Sequence, residues 1–162
     1  MGTAASVRPV EYEAHSELPA QRRIAAIRTT APQSQIGAGI IGSLDLIWPV
    51  LRQQGVETGH NVVIYYSEAE GIVTMDVGVE VLSDLTPSDQ IRLVMTPPGE
   101  VATSAHFGEY SDLGGAYNAV THWCTANGRR SAGTSWEVYG DWEDDPAKRR
   151  TDVFTLLEPT AS

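Results

Sequence analysis

Hydrophobic positions along the chain change their period repeatedly, and each change marks an element. Val7–Glu13 alternates, with Pro9 restricting it to a sheet edge. Arg22–Thr29, carrying Ile24, Ala26 and Ile27, reads as a strand. Ile40, Ile41, Leu44, Ile47, Trp48 and Leu51 recur at helical spacing and predict a helix over 38–54, closed near Gly55 and kinked or cut short at Pro49. Val62–Ser67 and Ile72–Leu82 read as strands of a hairpin turning at Gly71. Leu85–Pro98, punctuated by Thr86-Pro87 and Pro97-Pro98-Gly99, reads as a connector. Val101–Phe107 is a further strand. A second helix, N-capped by Ser111 or Asp112, then presents Leu113, Tyr117, Val120 and Trp123 or Cys124 on one face and stops at Asn127-Gly128. Ser135–Gly140 and Thr151–Leu157 are the last strands, joined by the acidic segment Asp141–Arg150. Residues 1–6 and 160–162 read as loose ends.

Each half of this pattern runs strand, helix, glycine, strand, turn, strand. Gly55 and Gly128 are 73 residues apart, as are Tyr66 and Tyr139, and Asp76-Val77 lies 76 before Asp152-Val153. The expectation is one α+β domain over 1–162, built of two β-α-β-β units (about 7–85 and 98–159). The units would be related by a pseudo-twofold axis, in an antiparallel-dominated sheet with both helices packed on it. A central groove between packed elements is where a small ligand would bind.

Composition narrows the partners. The 162-residue, 17.5 kDa chain has 11 basic and 21 acidic residues and a formal charge of −10. Its basic residues cluster no more tightly than Arg22-Arg23, Arg129-Arg130 and Lys148-Arg149-Arg150, so neither nucleic acid nor an anionic membrane is an expected partner. The single Cys124 forms no internal disulfide, which fits a reducing cytoplasm. No uninterrupted run approaches the 18 apolar residues of a membrane span, and no secretory signal opens the chain. Met1-Gly2-Thr3-Ala4-Ala5-Ser6 fits a myristoylation pattern but reads more simply as a flexible start. Ten arginines against the lone Lys148, with abundant Ala and Gly, point to a GC-rich bacterial source.

Two chemical motifs fail on context. Gly37-Ala38-Gly39-Ile40-Ile41-Gly42 spells G-x-G-x-x-G, but Thr30 to Ile36 separate it from the preceding strand and no acid ends a following strand. The glycines read instead as a small-residue helix entry that approaches the sheet closely. His15, His60, His106 and His122 have no zinc-ligand spacing, and His122 and Cys124 point apart on a helix, so no metal and no cofactor is expected.

The segment 105–159 is the most informative. It contains Ala105-His106-Phe107-Gly108-Glu109-Tyr110, a helix with Tyr117 and Trp123, Asn127-Gly128, Trp136-Glu137-Val138-Tyr139, Thr151-Asp152-Val153 and Glu158-Pro159. This series resembles the C-terminal half of the GyrI-like small-molecule-binding family. That family includes the effector domains of BmrR-type and AraC-type regulators and stand-alone gyrase inhibitors. The first half of the chain matches by architecture only. The regulator members carry a DNA-binding helical domain ahead of this fold. Only a short tail precedes Val7 here, so the resemblance implies a solitary ligand-binding domain.

Alternation puts Ser135, Glu137 and Tyr139 on one face of their strand and Trp136 and Val138 on the other. In the repeat alignment Ile64 matches Glu137 and Tyr66 matches Tyr139. A carboxylate among aromatic rings suits a planar organic cation: the rings stack, and the acid supplies the counter-charge. Tyr110 at the helix entrance and Phe154 on the last strand are candidates for the groove wall or for plain core. Trp48, Tyr117 and Trp123 lie on apolar helix faces where packing is expected, with Trp123 kept as a further candidate for ligand contact.

The leading expectation is a cytoplasmic domain that binds hydrophobic aromatic, often cationic, molecules for multidrug-type sequestration or resistance. Its ligand-binding residues would be Glu137, Tyr66, Tyr139, Tyr110, Phe154 and Trp123. One alternative implied by the resemblance is a hydrolase of cyclopropane-bearing alkylating natural products. There Glu137 would be the catalytic group acting on water, while a tyrosine hydroxyl protonates the leaving oxyanion. The other is a gyrase-inhibitor-like protein partner with a DNA-mimicking acidic surface. The natural ligand and the oligomeric state are left open.

Overall fold

Eight antiparallel strands form one sheet in the order β1-β6-β8-β7-β3-β4-β2-β5, with two helices on one face, in a computed structural model that describes residues 12–160. The strands are β1 (Ala14–Glu17), β2 (Arg23–Pro32), β3 (Thr58–Ala69), β4 (Ile72–Val81), β5 (Arg92–Met95), β6 (Val101–Phe107), β7 (Ser131–Tyr139) and β8 (Arg150–Leu157). The helices are α1 (Ile36–Gln54) and α2 (Gly114–Ala126). Most of the strand expected at Val7–Glu13 lies outside the described residues, as do residues 1–6 and 161–162; the first described strand begins at Ala14.

The helices end as the sequence predicts. Gly55 takes the left-handed conformation (φ 66°) that closes α1, and Gly128 (φ 63°) follows the end of α2. Pro49 neither stops nor shortens α1: it lies on the exposed side, and the helix continues to Gln54. By length and composition the stretch Gln33–Gln54 is apolar enough to cross a membrane, although polar residues interrupt its apolar run. In this fold it buries Ile47 and Leu51 on the sheet instead. Of the three early glycines only Gly39 approaches the sheet closely, since a Cβ there would lie 3.3 Å from Met75 Cε; Gly37 and Gly42 face open space. No side chain caps α2; a 3-10 turn at Tyr110–Asp112 leads into it instead of the expected Ser111 or Asp112 cap.

The strand order reads as β1-β6-β8-β7 followed outward on the other side by β3-β4-β2-β5. Thus β6-α2-β7-β8 occupies one half of the sheet and β2-α1-β3-β4 the other, and β7 meets β3 at the centre. The flanking strands are exchanged: β1, which the sequence assigns to the first half, pairs with β6 of the second, and β5, which leads into β6, pairs with β2. β5 falls inside Leu85–Pro98, which the sequence alone reads as a connector.

These exchanges force the sheet to curl. Glu17 to Arg23 is about six residue steps, roughly 20 Å of extended chain. The first and seventh strands of a flat sheet would be about 29 Å apart. Curling brings Ile24 and Ala26 of β2, Val101 of β6, Ile64 of β3, Trp136 and Val138 of β7 and Phe154 of β8 into one buried cluster on the face without helices. The two crossing connections are tied to each other there, with Thr96 N–H donating to the Arg22 carbonyl and Arg22 N–H to Thr96 Oγ1.

On the opposite face α1 packs on β2 and β4, and α2 on β6, β1 and β8. Ala116, Val120 and Cys124 follow the i, i+4 spacing that seats α2 against Ala102 and Val153. Both helices thus stand on the outer strands, and β7 and β3 run along the floor of a trough between them.

Candidate functional site

Glu137 sits on that floor, paired across β3 with Val63 and across β8 with Val153, and only 5 % exposed. Three tyrosine hydroxyls donate to its carboxylate. Tyr65 of β3 reaches Oε1 at 3.2 Å, Tyr139 of β7 also reaches Oε1, and Tyr117 of α2 reaches Oε2 at 2.5 Å. Burial pushes the pKa of Tyr65, Tyr117 and Tyr139 upward, and the neighbouring Glu137 charge adds to the shift. The tyrosines therefore stay protonated and donating at neutral pH. They occupy three of the carboxylate's roughly four acceptor positions without cancelling its charge.

Two clefts meet at this carboxylate. The first, about 500 Å³, is walled by Ile36, Ile40, Ile41 and Leu44 of α1, by Tyr65, Tyr110 and Tyr139, and by Leu113 and Trp142. The second, about 570 Å³, shares Ile36, Tyr65 and Glu137 but is otherwise lined mainly by Gln33, Ser67, Glu68, Tyr117 and Ser135. No Lys, Arg or His lines either cleft among the described residues. Each volume lies in the range of about 300–1,000 Å³ usual for small-molecule sites.

The mouth of the aromatic lobe is braced. Tyr110 meets Tyr139 edge-on with ring centroids 5.6 Å apart. The backbone just before Tyr110 is held by His106, whose Nε2 donates to the Glu109 carbonyl at 2.7 Å while Nδ1 accepts the Tyr12 hydroxyl at 2.8 Å. The Arg149 guanidinium lies 3.6 Å from the Trp142 ring centroid and contacts Glu109 at 3.6 Å, joining the two loops that carry Trp142 and Tyr110.

Of the residues that the sequence offers as ligand contacts, the structure brings Glu137, Tyr139 and Tyr110 together at the first cleft. It places three other candidates elsewhere. Tyr66 projects from the opposite face, where its hydroxyl donates to Asp76 at 2.7 Å and Arg28 covers its ring. Phe154 is buried on that face and stacked on Trp136 at 5.5 Å. Trp123 of α2 is half-buried against the cluster that holds Val120, Cys124 and Leu157, and lines neither cleft.

The 73-residue spacing does not preserve the face of the sheet. Ile64 and Tyr66 belong to the helix-free face, whereas Val63 and Tyr65 share the face of Glu137. A slip of one residue exchanges the faces of a whole strand. The Tyr66/Tyr139 spacing is therefore no equivalence, although Gly55 and Gly128 do close their respective helices. Tyr65, Tyr117, Trp142 and Asn61 were missed as cleft residues. For Tyr65 the available signal was alternation counted from Val63.

Among the described residues, no group of three or more His, Cys, Asp or Glu is placed to hold a metal ion. No curated protein sequence matches the chain.

Solved structures share the fold. The EcmrR C-terminal domain superposes with a TM-score of 0.76 at 18% identity, covering 93% of this chain and 100% of that one. EcmrR in its DNA complex matches over 92% of this chain but 58% of its own, with a TM-score of 0.73 at 18% identity. A hydrolase from Listeria innocua gives 0.59 at 10% identity over 90% and 92% of the two chains. SAV2435 bound to tetraphenylphosphonium gives 0.58 at 13% over 92% and 94%. With a trough between two helices on a curled antiparallel sheet, and with residues 16–157 matching the sequence model of the GyrI-like small molecule binding domain, the chain belongs to the GyrI-like family.

Proposed function

We propose that the chain binds hydrophobic aromatic cations over Glu137 and acts by sequestering them in the cytoplasm, a multidrug-type resistance role. The observation that carries this reading is a buried carboxylate whose hydrogen-bond donors, among the described residues, are all neutral hydroxyls, at the junction of two clefts that no basic residue among them lines. A desolvated anion attracts a cation more strongly than an exposed one, because little water screens the pair. Tyr110, Tyr139 and Trp142 offer ring faces and edges to a flat or bulky aromatic body, and the aliphatic side of α1 completes the wall. The fold relative SAV2435, bound to the aromatic cation tetraphenylphosphonium, supports the same ligand class.

Binding is better supported than hydrolysis. Both Glu137 oxygens already accept tyrosine hydroxyls, so a water to be activated would have to share the carboxylate with three donors that lower its basicity. The test is a titration with matched cationic and anionic dyes of one shape, followed by mass analysis of the recovered compound. Cationic dyes should bind with micromolar Kd, about −8 kcal/mol, and be recovered unchanged. Equal affinity for both charges would reject the carboxylate-centred site. Recovery of an adduct with one added water would favour the hydrolase.

A further inference from the structure

The proposed function uses the aromatic lobe and leaves the polar lobe idle. A compact dye fills one cavity of this size, so a ligand lodged over Glu137 in the first lobe leaves the second to water. The second lobe is also built differently. Glu68, near the end of β3, stands in its wall with Ser67 and Ser135. Gln33 Nε2 donates to Glu68 Oε2 at 2.7 Å, tying the side chain to the turn before α1. Glu68 Oε1 makes no hydrogen bond among the described residues, so it can accept one from a ligand.

The two lobes thus hold two carboxylates, one buried and shared, the other exposed at the polar end, with no basic side chain lining either lobe. One cation at Glu137 balances the first carboxylate only. We infer that the polar lobe is a second subsite, which takes the ammonium end of an elongated dicationic amphiphile whose aromatic head lies over Glu137. This inference rests on the cation-binding reading. It adds a ligand class: a head of aromatic rings, an apolar spacer and a terminal primary amine that hydrogen-bonds Glu68, Ser67 or Ser135. The ammonium offers three donors, which suits the several acceptors there.

The test uses two probes with one quinolinium head, the first with a plain alkyl tail and the second with a tail of equal length ending in a primary ammonium. Both are titrated calorimetrically into the full chain and into Glu68→Gln, Glu70→Gln and Glu137→Gln. In the unaltered chain the ammonium-tailed probe should bind tighter by roughly two- to fivefold at low salt, the scale of a partly exposed charge pair. Glu68→Gln should bring the ratio of the two affinities to about one. Glu70→Gln should preserve the ratio, because Glu70 sits at the β3–β4 turn outside both lobes.

Equal affinities in the unaltered chain overturn the inference. So does a ratio that survives Glu68→Gln or falls equally in Glu70→Gln. The plain-tailed probe reports separately on the underlying reading. If it binds and weakens in Glu137→Gln while the tail ammonium adds nothing, only the second subsite fails. If it does not bind, or binds independently of Glu137, both readings fail.

Discussion

Two buried carboxylates face opposite sides of the same sheet, and the protein treats them differently. Asp76 of β4, on the helix-free face, is fully buried and receives Arg28 Nε at 2.8 Å, Arg28 Nη2 at 3.1 Å and the Tyr66 hydroxyl at 2.7 Å. Arg92 adds a second positive charge at 3.5 Å. Burial alone would raise the Asp76 pKa, but the Arg28 and Tyr66 hydrogen bonds and the two arginine charges outweigh it and hold it below the usual carboxylate range. Glu137, on the helix face, has hydroxyls and, among the described residues, no arginine. The fold therefore contains the means to neutralise a buried acid, and applies them where the acid is structural. At Glu137 the donors among the described residues are neutral hydroxyls, and the proposed function assigns the remaining charge to a cation from outside.

The largest effect should separate the two acids in stability. Asp76→Asn leaves two arginines without their anion and should cost about 2 kcal/mol, below the 3–5 typical of broken buried pairs because both arginine heads reach water. Glu137→Gln should change stability by less than about 1 kcal/mol. Urea unfolding measures both; an equal loss at the two sites would remove the contrast.

The next effect concerns the tyrosines. Tyr139→Phe withdraws a donor from a carboxylate that has no arginine and should cost about 1–2 kcal/mol. Tyr66→Phe should cost less, below about 1 kcal/mol, since Arg28 still bonds the same Asp76 oxygen. The reverse order would mean that the Glu137 hydroxyls contribute little.

The smallest effects are in the pH profile. The Asp76 pKa is depressed on folding. Its contribution to stability is therefore complete above the unfolded carboxylate value of about 4 and is lost as pH falls through the lower folded value. Tyr66 is pushed up to about 12, by burial first and then by its bond to Asp76, and Tyr65, Tyr117 and Tyr139 are also raised. Their contribution is complete below the unfolded tyrosine value of about 10 and is lost as pH rises through the folded values. Ultraviolet titration should find these four ionising together with alkaline unfolding. Four tyrosines ionising near pH 10 in a still-folded chain would contradict the buried network.

Much of this architecture was legible because the elements are long and periodic, and the helix-closing glycines mark their own places. Glu137 and Tyr139 were legible from the alternation of their strand, and Tyr110 from its place after the Gly108 turn at the entrance to α2. Tyr65 was hidden by its neighbour: in Tyr65-Tyr66 one ring faces each side, and a register shift between Tyr65 and Ser67 obscures the count from the hairpin turn. Tyr117 occupies a helical position where an apolar face and a hydroxyl aimed at a carboxylate look alike. Phe154 was ambiguous because both faces of this sheet are buried, so alternation separates two sets of residues without saying which meets the ligand. Trp142 lies in an acidic loop with no periodic signal, and β5 is four residues long, too short to outweigh the prolines around it. Superposing the halves over their backbone would test the proposed duplication without relying on the tyrosine spacing.

The most direct test of the account compares a cationic aromatic ligand with its neutral isostere on the unaltered chain and on Glu137→Gln, each shown to be folded by circular dichroism. The substitution keeps the shape of the side chain and removes its charge. The account predicts a loss of about 1–3 kcal/mol for the cation, the scale of a charged contact in a desolvated pocket, and less than about 0.5 kcal/mol for the neutral isostere. Unchanged binding of the cation, or an equal loss for both ligands, would contradict it.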